Sequence, residues 1–196
     1  MNRRLITFLA TTVLLSSVAF SQNPITADSP FQVRYATNMG AAGAKINITN
    51  TGASGGNICV NVYAFAPDEQ LISCCTCNIT PDGLSSIGVR ASLTNDTLTG
   101  VVPTSVVIKL VASSGSACNA AVVNNLASGM LAWGTTTHIL PVTPGSPATT
   151  FGVTETAFSP STLSATELSR ITALCGFIQT DGSGAGICGG CTLGGQ

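Results

Sequence analysis

Eight cysteines that follow an export-type leader constrain the fold of this chain more than any other feature of the sequence. They are Cys59, Cys74, Cys75, Cys77, Cys118, Cys175, Cys188 and Cys191. Exported chains meet an oxidising compartment, and an even number of cysteines there is typical of disulfides. All eight are therefore disulfide candidates, and the fold has to bring them together in pairs.

Residues 1–21 have the order of a secretory signal peptide. A pair of arginines forms a positive n-region, residues 5–15 are apolar apart from threonines, and small residues suited to signal peptidase follow. The apolar stretch is too short to span a bilayer permanently. We predict cleavage after Ser21, which leaves Gln22 at the mature N-terminus, with cleavage after Ala19 as the alternative. The mature protein is then secreted, periplasmic or on the cell surface, without a membrane span.

Charge is scarce in this chain, which has seven basic and eight acidic residues among 196. This low, nearly balanced charge excludes a basic nucleic-acid-binding protein, a polybasic membrane anchor and an acidic disordered tail. Removing residues 1–21 leaves five basic and eight acidic residues, a formal charge of −3. We expect no nucleic-acid partner, and the remaining partner class is a protein or surface of unidentified chemistry.

Runs rich in Val, Ile and Thr alternate with turn clusters of Gly, Asn and Pro, which is typical of a mainly β protein. Eight runs predict strands: 31–35, 45–49, 58–65, 71–79, 84–93, 104–112, 133–140 and 151–158. The run 104–112 is apolar almost throughout, as expected of a central strand covered on both faces. Short strands at this spacing predict an immunoglobulin-like β-sandwich of seven or eight strands over residues 22–160.

Two later stretches carry helical patterns. Residues 119–131 repeat apolar side chains at helical spacing, but one glycine and two asparagines weaken the pattern. Residues 164–167 form a Ser-x-x-Glu capping box followed by an apolar face, which predicts a C-terminal helix. Residues 181–196 are glycine-rich and contain two cysteines. We therefore expect residues 161–196 to form a helix and a Cys/Gly-rich tail packed on the same domain.

Several motifs from both halves of the chain occur together in one pattern. They are the segments 46–52, 59–65 and 74–81, the segment 175–179, and a tail with Gly184, Gly186, Ile187, Cys188 and Cys191. Together they resemble a group of small exported, cysteine-rich bacterial β proteins, over most of residues 31–194. The resemblance implies export and a cysteine-stapled β fold, and it implies no activity.

The hairpin formed by 58–65 and 71–79 gives a geometric expectation for one disulfide. A turn centred between the two strands pairs residues whose numbers sum to about 136 or 137, which places Cys59 across from Cys77 or Asn78. Directly opposed Cβ atoms lie within bridging range. We therefore predict a Cys59–Cys77 disulfide.

Strand alternation separates the neighbouring cysteines of the same hairpin. Cys75 and Cys77 lie on one face of their strand and Cys74 on the other. We expect one face to point toward the core or the opposite sheet and the other toward a surface segment such as the tail. The tail is too rich in glycine to hold itself in place. We predict that disulfides pin it to Cys175, to the Cys74–Cys75 segment, or to both.

Two Cys-x-x-Cys motifs, at 74–77 and 188–191, also offer the four thiolates of a tetrahedral zinc site. Their separation far exceeds that of a zinc ribbon, no histidine lies near either in the sequence, and an oxidising compartment opposes free thiolates. A redox pair would open a helix in a thioredoxin-like βαβ unit, which the pattern does not offer. We predict disulfides with no cofactor and no metal, and keep a thiol- or metal-dependent envelope protein as the alternative.

Three other patterns resemble parts of catalytic sites but have simpler structural interpretations. Residues 52–56 match the Gly-x-Ser-x-Gly of a serine nucleophile, but strands flank Ser54 where a strand and then a helix are required. His138 is the one histidine, and no motif supplies it with an acid. Glu155 and Glu167 could form a carboxylate pair, although Glu167 belongs to the capping box.

Without a convergent polar cluster, the sequence predicts a module with no catalysis of its own. We expect an exported, disulfide-stabilised structural or interaction module of the cell-envelope or adhesion type. An envelope enzyme is the alternative. A carbohydrate binder is a third possibility, but the chain has one Trp and two Tyr to stack on a sugar.

Overall fold

A computed structural model describes residues 29–37, 43–115, 117–140, 151–189 and 191–193. The predicted signal peptide and the predicted mature N-terminus lie outside the described residues. Within the described ranges, no helix has both the length and the apolar character needed to cross a bilayer.

The described residues form ten strands, one α-helix and a π-helical turn. The strands are β1 (Phe31–Ala36), β2 (Lys45–Asn50), β3 (Ile58–Phe65), β4 (Leu71–Ile79), β5 (Leu84–Gly88), β6 (Val106–Ser114), β7 (Met130–Ile139), β8 (Phe151–Ala157), β9 (Ser159–Pro160) and β10 (Thr192–Leu193). Helix α1 is Ala165–Asp181, and the π-helical turn is Val89–Leu93. All eight predicted strands are present, and β3 and β4 have the predicted bounds. The two-residue strands β9 and β10 were not predicted.

The strands form two antiparallel sheets, consistent with a β-sandwich. Sheet A has the strand order β4-β3-β6-β1-β9, and sheet B has the order β10-β5-β2-β7-β8. The apolar core lies between the inner faces of the two sheets, where each buried aliphatic side chain contributes roughly 1.5–3 kcal/mol. Its largest side chains include Ile46, Ile48, Ile58, Ile72, Ile79, Ile87, Ile108, Leu110 and Met130.

Sheet A is covered on both of its faces, so the molecule has three layers. All eight residues of β3 are buried. Helix α1 packs its buried residues Ile171, Cys175 and Ile178 on the outer face of sheet A. Strand β6 lies in the middle of this sheet, which confirms the predicted central strand. The outer face of sheet B has no such layer among the described residues.

Strand β1 points its polar side chains inward, toward sheet B, and most of its apolar side chains outward. Phe31 belongs to the cluster under α1, while Gln32 and Arg34 point toward sheet B. The Gln32 side chain is buried and its Nε2 donates to the Met130 carbonyl at 2.8 Å. A strand between two apolar layers can place a polar residue inward when that residue finds a hydrogen-bond partner there.

Two of the predicted element assignments are wrong and one is confirmed. Residues 119–129 form a turn and an isolated bridge instead of a helix, Gly129 adopts a φ of +100°, and Met130 and Leu131 begin β7. The predicted strand 84–93 ends at Gly88, after which the π-helical turn begins. The Ser164 N-cap of the predicted capping box is confirmed, because the Glu167 N–H donates to Ser164 Oγ at 3.1 Å at the start of α1, while the Glu167 carboxylate pairs with Lys109 and Arg170.

The buried phenol of Tyr63 should make the protein less stable in base. Tyr63 is fully buried and donates to the Ala120 carbonyl at 2.7 Å, and burial raises its pKa above the usual value. The unfolded chain therefore loses this proton first, so the free energy of unfolding should fall by roughly 1.4 kcal/mol per pH unit above about pH 10. Urea unfolding across this pH range, with Tyr63→Phe as the comparison, measures the effect. The Phe variant should lack this component, and an equally steep fall in both proteins contradicts the assignment.

Candidate functional site

The structure does not bring the candidate nucleophile and base together. Ser54 lies in an exposed turn after β2, and this turn is anchored at the start of β7 by the Thr51 N–H, which donates to the Gly129 carbonyl at 2.8 Å. His138 lies near the other end of β7, roughly 27 Å along the strand at about 3.3 Å per residue. The His138 Nε2 lies 3.1 Å from Thr154 Oγ1. The Gly-x-Ser-x-Gly motif is therefore a turn.

The two candidate carboxylates also lie in different layers. Glu155 is on β8, where its Oε1 accepts from Thr135 Oγ1 at 3.4 Å. Glu167 is on α1, on the far side of sheet A, where it forms an ion pair with Lys109. A carboxylate pair of the kind used in acid–base chemistry is therefore not formed by these two residues.

Four disulfides use all eight cysteines. They are Cys59–Cys118, Cys74–Cys175, Cys75–Cys188 and Cys77–Cys191. No cysteine among the described residues is free, and these residues contain no group of three or more side chains arranged to hold a metal ion. Four disulfides are typical of an oxidising extracellular or periplasmic environment.

The predicted Cys59–Cys77 disulfide is wrong, because the structure has the second of the two predicted registers. Cys59 lies opposite Asn78, and Cys77 lies opposite Val60. Neighbouring positions of a strand point to opposite faces, so this register turns the two sulfurs away from each other. Cys77 points into the core between the sheets, and Cys59 points to the outer face of sheet A, where it meets Cys118.

The tail prediction is confirmed in part: disulfides pin the tail, and Cys188 binds the Cys74–Cys75 segment, but Cys191 binds Cys77 and neither tail cysteine binds Cys175. Cys75 and Cys77 share a face of β4 and bind the tail at Cys188 and Cys191, while Cys74 faces α1 and binds Cys175. The tail continues both sheets: Cys74 N–H donates to the Gly186 carbonyl at 2.8 Å, and β10 pairs with β5. The side of the sandwich formed by β4 and β5 is therefore covered by a covalently held segment, and we name it the closed side.

The opposite side of the sandwich is not covered in this way. Strand β8 is the last strand of sheet B, and no described strand lies beyond it. In sheet A, β9 pairs with β1 at Gln32 and Val33, which leaves residues 34–36 of β1 without a second neighbour among the described strands. We name β8 and residues 34–36 together the open side.

The hydrogen-bond pattern shows which backbone groups of β8 face the open side. Phe158 N–H donates to the Ala132 carbonyl at 2.9 Å, so these two residues form a hydrogen-bonded pair that continues the β7–β8 ladder. Bonded pairs alternate along an antiparallel ladder. The even-numbered residues of β8 therefore bond to β7, and residues 151, 153, 155 and 157 turn their N–H and C=O groups outward.

Exposed apolar side chains lie on the outer face of sheet B next to this edge. Ile139 and Phe151 are a cross-strand pair, 60% and 48% exposed, and Val153 is 64% exposed. Natural edge strands are usually protected by lysine, proline, a bulge or a covering segment. Residues 151–157 contain no lysine or proline. An open edge flanked by exposed apolar side chains is typical of a surface that binds another chain.

Arg34 lies between the two sheets at the open side. Its Nη2 donates to Thr136 Oγ1 at 2.9 Å, and its Nη1 donates to the Thr156 carbonyl of β8 at 3.1 Å. The guanidinium lies against Gly134, where a Cβ atom would come within 1.4 Å of Nη1, so a side chain at this position would displace the guanidinium. Burial lowers the pKa of the Arg34 guanidinium from its usual value.

Apart from the open side, a concave site lies between α1, β6 and the β3–β4 turn. It has a volume of about 400 Å³, and Phe65, Lys109, Glu167 and Arg170 are among its lining residues. Glu167 Oε1 is shared by the Lys109 ammonium and by Arg170 Nη1 at 3.6 Å, and Lys109 Nζ lies 4.7 Å from the centre of the Phe65 ring. These contacts join the helix to sheet A, which gives the cluster a structural role.

The open side and the position of Arg34 were not predicted from the sequence. The cysteines carry the strongest sequence signal, and they lie mostly on the closed side. Arg34 is one of the five basic residues of the predicted mature chain, in a strand whose apolar and polar residues alternate. That alternation does not show that the polar face of the strand points toward sheet B.

Comparison of the chain with protein-family models, with curated proteins and with solved structures found no match.

Proposed function

We propose that this chain is an exported, disulfide-stabilised interaction module of immunoglobulin-like sandwich architecture. It acts in the cell envelope or in adhesion, performs no catalysis of its own, and binds a protein partner along the open side. Strand addition to β8 is the mode of binding, because the outward N–H and C=O groups of that strand form a template for a further strand.

The difference between the two sides of the sandwich carries this proposal. The tail covers the closed side and is fixed there by two disulfides. The seven residues of β8 have a neighbouring strand on one edge alone among the described residues. Natural sheets manage their edges because an uncovered strand pairs with other chains. A chain that covers one side covalently and leaves the other available is suited to directional binding.

The architecture supports the immunoglobulin-like assignment and the division of the chain. Strand β2 pairs with β5 in sheet B, and β3 pairs with β6 in sheet A, so the chain crosses between the sheets repeatedly, as in Greek-key sandwiches. In the proposed division, residues 1–21 are the signal peptide, residues 22–160 the sandwich, and residues 161–196 the helix and tail of the same domain.

Site-specific photo-crosslinking tests the proposed binding surface. A photoreactive phenylalanine analogue replaces Phe151 in cells that export the protein, and the matched control carries it at Phe177. The two positions are similarly exposed, at 48% and 55%, but Phe177 lies on α1. We expect one discrete covalent adduct with another protein from position 151 and none from 177. Equal crosslinking from both positions, or none from 151, contradicts the proposal.

Export predicts a defined N-terminus for the purified protein. Cleavage by signal peptidase should leave Gln22, or Phe20 if the enzyme uses the earlier site. Edman degradation or intact-mass measurement of the protein from the producing cells gives the answer. Met1 retained on soluble protein inside the cell would show that the leader is not a signal peptide.

A further inference from the structure

We propose that the segment added to β8 is an extended, acidic strand of another protein, and that one of its carboxylates binds Arg34. This inference deepens the proposed function and rests on it, because it names the chemistry of the partner at the same open side. It is carried by the position of Arg34, by the acids that the chain itself offers, and by the geometry of strand pairing.

The Arg34 guanidinium lacks an anion among the described residues. Neither ion pair formed by those residues includes Arg34, since both involve Glu167. Its two hydrogen bonds use neutral oxygens, those of Thr136 and Thr156. A guanidinium has five N–H donors in a planar fork that matches a carboxylate. The guanidinium is half-buried, so a carboxylate from a partner can reach it at the open side and form a charge-assisted pair with it.

The guanidinium lies where an added strand would place a side chain. Arg34 reaches from β1 in sheet A across Gly134 of β7 to the Thr156 carbonyl of β8. An antiparallel strand added to β8 would put its inward side chains about 4.5–5.5 Å from the inward side chains of β8. Those of β8 are small, at Gly152, Thr154 and Thr156, so a carboxylate beside them can approach the guanidinium.

The chain itself offers little to neutralise Arg34. Seven of its eight acidic residues lie within the described ranges, and none of the seven forms an ion pair with Arg34. We therefore assign the carboxylate to another molecule.

A second copy of the chain does not supply the carboxylate through β8 itself. Two β8 strands that pair antiparallel around a two-fold axis keep their inward residues inward. The acid of β8 is Glu155, which is on the outer face with Val153 and Phe151. A β8–β8 pair would place threonine and glycine beside Arg34. Charge complementarity thus favours a different chain over self-association.

The exposed apolar residues of β8 define which side chains suit the outer face of the added strand. Its outward side chains would lie beside Phe151 and Val153, which are 48% and 64% exposed. β-branched side chains suit this position, because they pack well across strands. The partner segment therefore alternates apolar residues with polar ones, and one of the polar residues is aspartate or glutamate.

Two synthetic peptides test this inference with the full mature chain. The first is acetyl-TVTVEVT-amide, and the second has glutamine in place of its glutamate. Binding is measured by titration followed through the backbone amide signals of β8. We expect the acidic peptide to bind about tenfold more tightly than its glutamine counterpart at low salt, because a charged hydrogen-bonded pair replaces a neutral one. Equal binding of the two peptides overturns the acidic partner.

Variants separate this inference from the proposed function. Arg34→Gln should bind both peptides equally, and Arg34→Lys should keep part of the preference. Val153→Pro removes an outward N–H without touching the ladder to β7, so it should lose both peptides. Val102→Pro, at an exposed position on a distant loop, is its matched control. Melting temperatures show that each variant is folded.

Each outcome of this experiment has a defined meaning. Binding that requires Val153 but ignores both the peptide charge and Arg34 overturns the acidic partner and leaves strand addition standing. Failure of both peptides to perturb β8 at millimolar concentration overturns strand addition as well. A stable dimer of the chain by light scattering, abolished by Val153→Pro, would show that the open side is occupied by a second copy.

Discussion

Replacing Cys188 and Cys191 with serine should lower the free energy of unfolding by roughly 3 kcal/mol without abolishing the sandwich. The two bonds formally close loops of 113 and 114 residues. The Cys74–Cys175 bond remains, however, so the loop that opens is the short one from Cys175 to the tail. A loop of about 15 residues corresponds to about 3 kcal/mol by chain entropy. The melting temperature should therefore fall by roughly 6–12 °C.

The same variant should expose the tail to protease. Without its two disulfides, the glycine-rich segment that pairs with β4 and β5 has little apolar surface to hold it. The control is Cys59→Ser with Cys118→Ser, which removes a disulfide elsewhere and leaves the tail fixed. Limited proteolysis followed by mass spectrometry should find tail cleavage in the first variant alone. A first variant of full stability that loses a bound metal or a reductase activity would assign the chemistry to the thiols instead.

Replacing Asn50 with alanine should cost about 3 kcal/mol or more. Asn50 is fully buried at the end of β2, and its side chain binds three backbone groups. Its Nδ2 donates to the carbonyls of Gly56 at 2.9 Å and Ile79 at 3.0 Å, and its Oδ1 accepts from the Gly52 N–H at 2.9 Å. Alanine leaves three polar groups without this partner, and each buried unsatisfied group costs about 1–3 kcal/mol.

The matched control for Asn50 lies in the same turn. Asn57 is exposed, so Asn57→Ala should change the free energy of unfolding by less than about 0.5 kcal/mol. Denaturant titration of both variants measures the difference. If Asn50→Ala proves as mild as Asn57→Ala, the Asn50 side chain does not organise the turns at this end of the sandwich.

Local sequence patterns predicted the strands well, because a strand and its turn are determined mainly by the residues within them. The strand runs 58–65 and 71–79 and the turn between them predicted the bounds of the hairpin, and its register to within one residue: Cys59 opposite Cys77 or Asn78, of which the structure has Asn78. The Ser164 cap predicted the helix for the same reason, since its hydrogen bond spans three residues. The helix predicted over residues 119–131 is absent because Val122 and Leu126, two members of its apolar spacing, are exposed, while the third, Met130, belongs to β7.

Which cysteines pair, and which side of the sandwich stays open, depends on how the two sheets, the helix and the tail are stacked. Local sequence patterns do not show this stacking. The Cys59–Cys77 prediction took the register that places these two residues opposite each other, which differs by one residue from the register of the structure, and that shift turns the two sulfurs to opposite faces. Arg34 points toward sheet B because the other face of β1, with Phe31, packs under α1. The tail covers the closed side partly through β10. This strand has two residues, which is too short to give a recognisable sequence pattern.

Amide hydrogen exchange of the isolated mature protein, resolved by residue, tests the open side most directly. The amides of Val153 and Glu155 should exchange quickly, since they point away from β7. Those of Thr154 and Thr156 should exchange slowly, as should Cys74, whose N–H donates to the Gly186 carbonyl of the covering tail at 2.8 Å. Slow exchange at Val153 and Glu155, equal to that of Thr154, would show that β8 is already paired and that the protein has no open side.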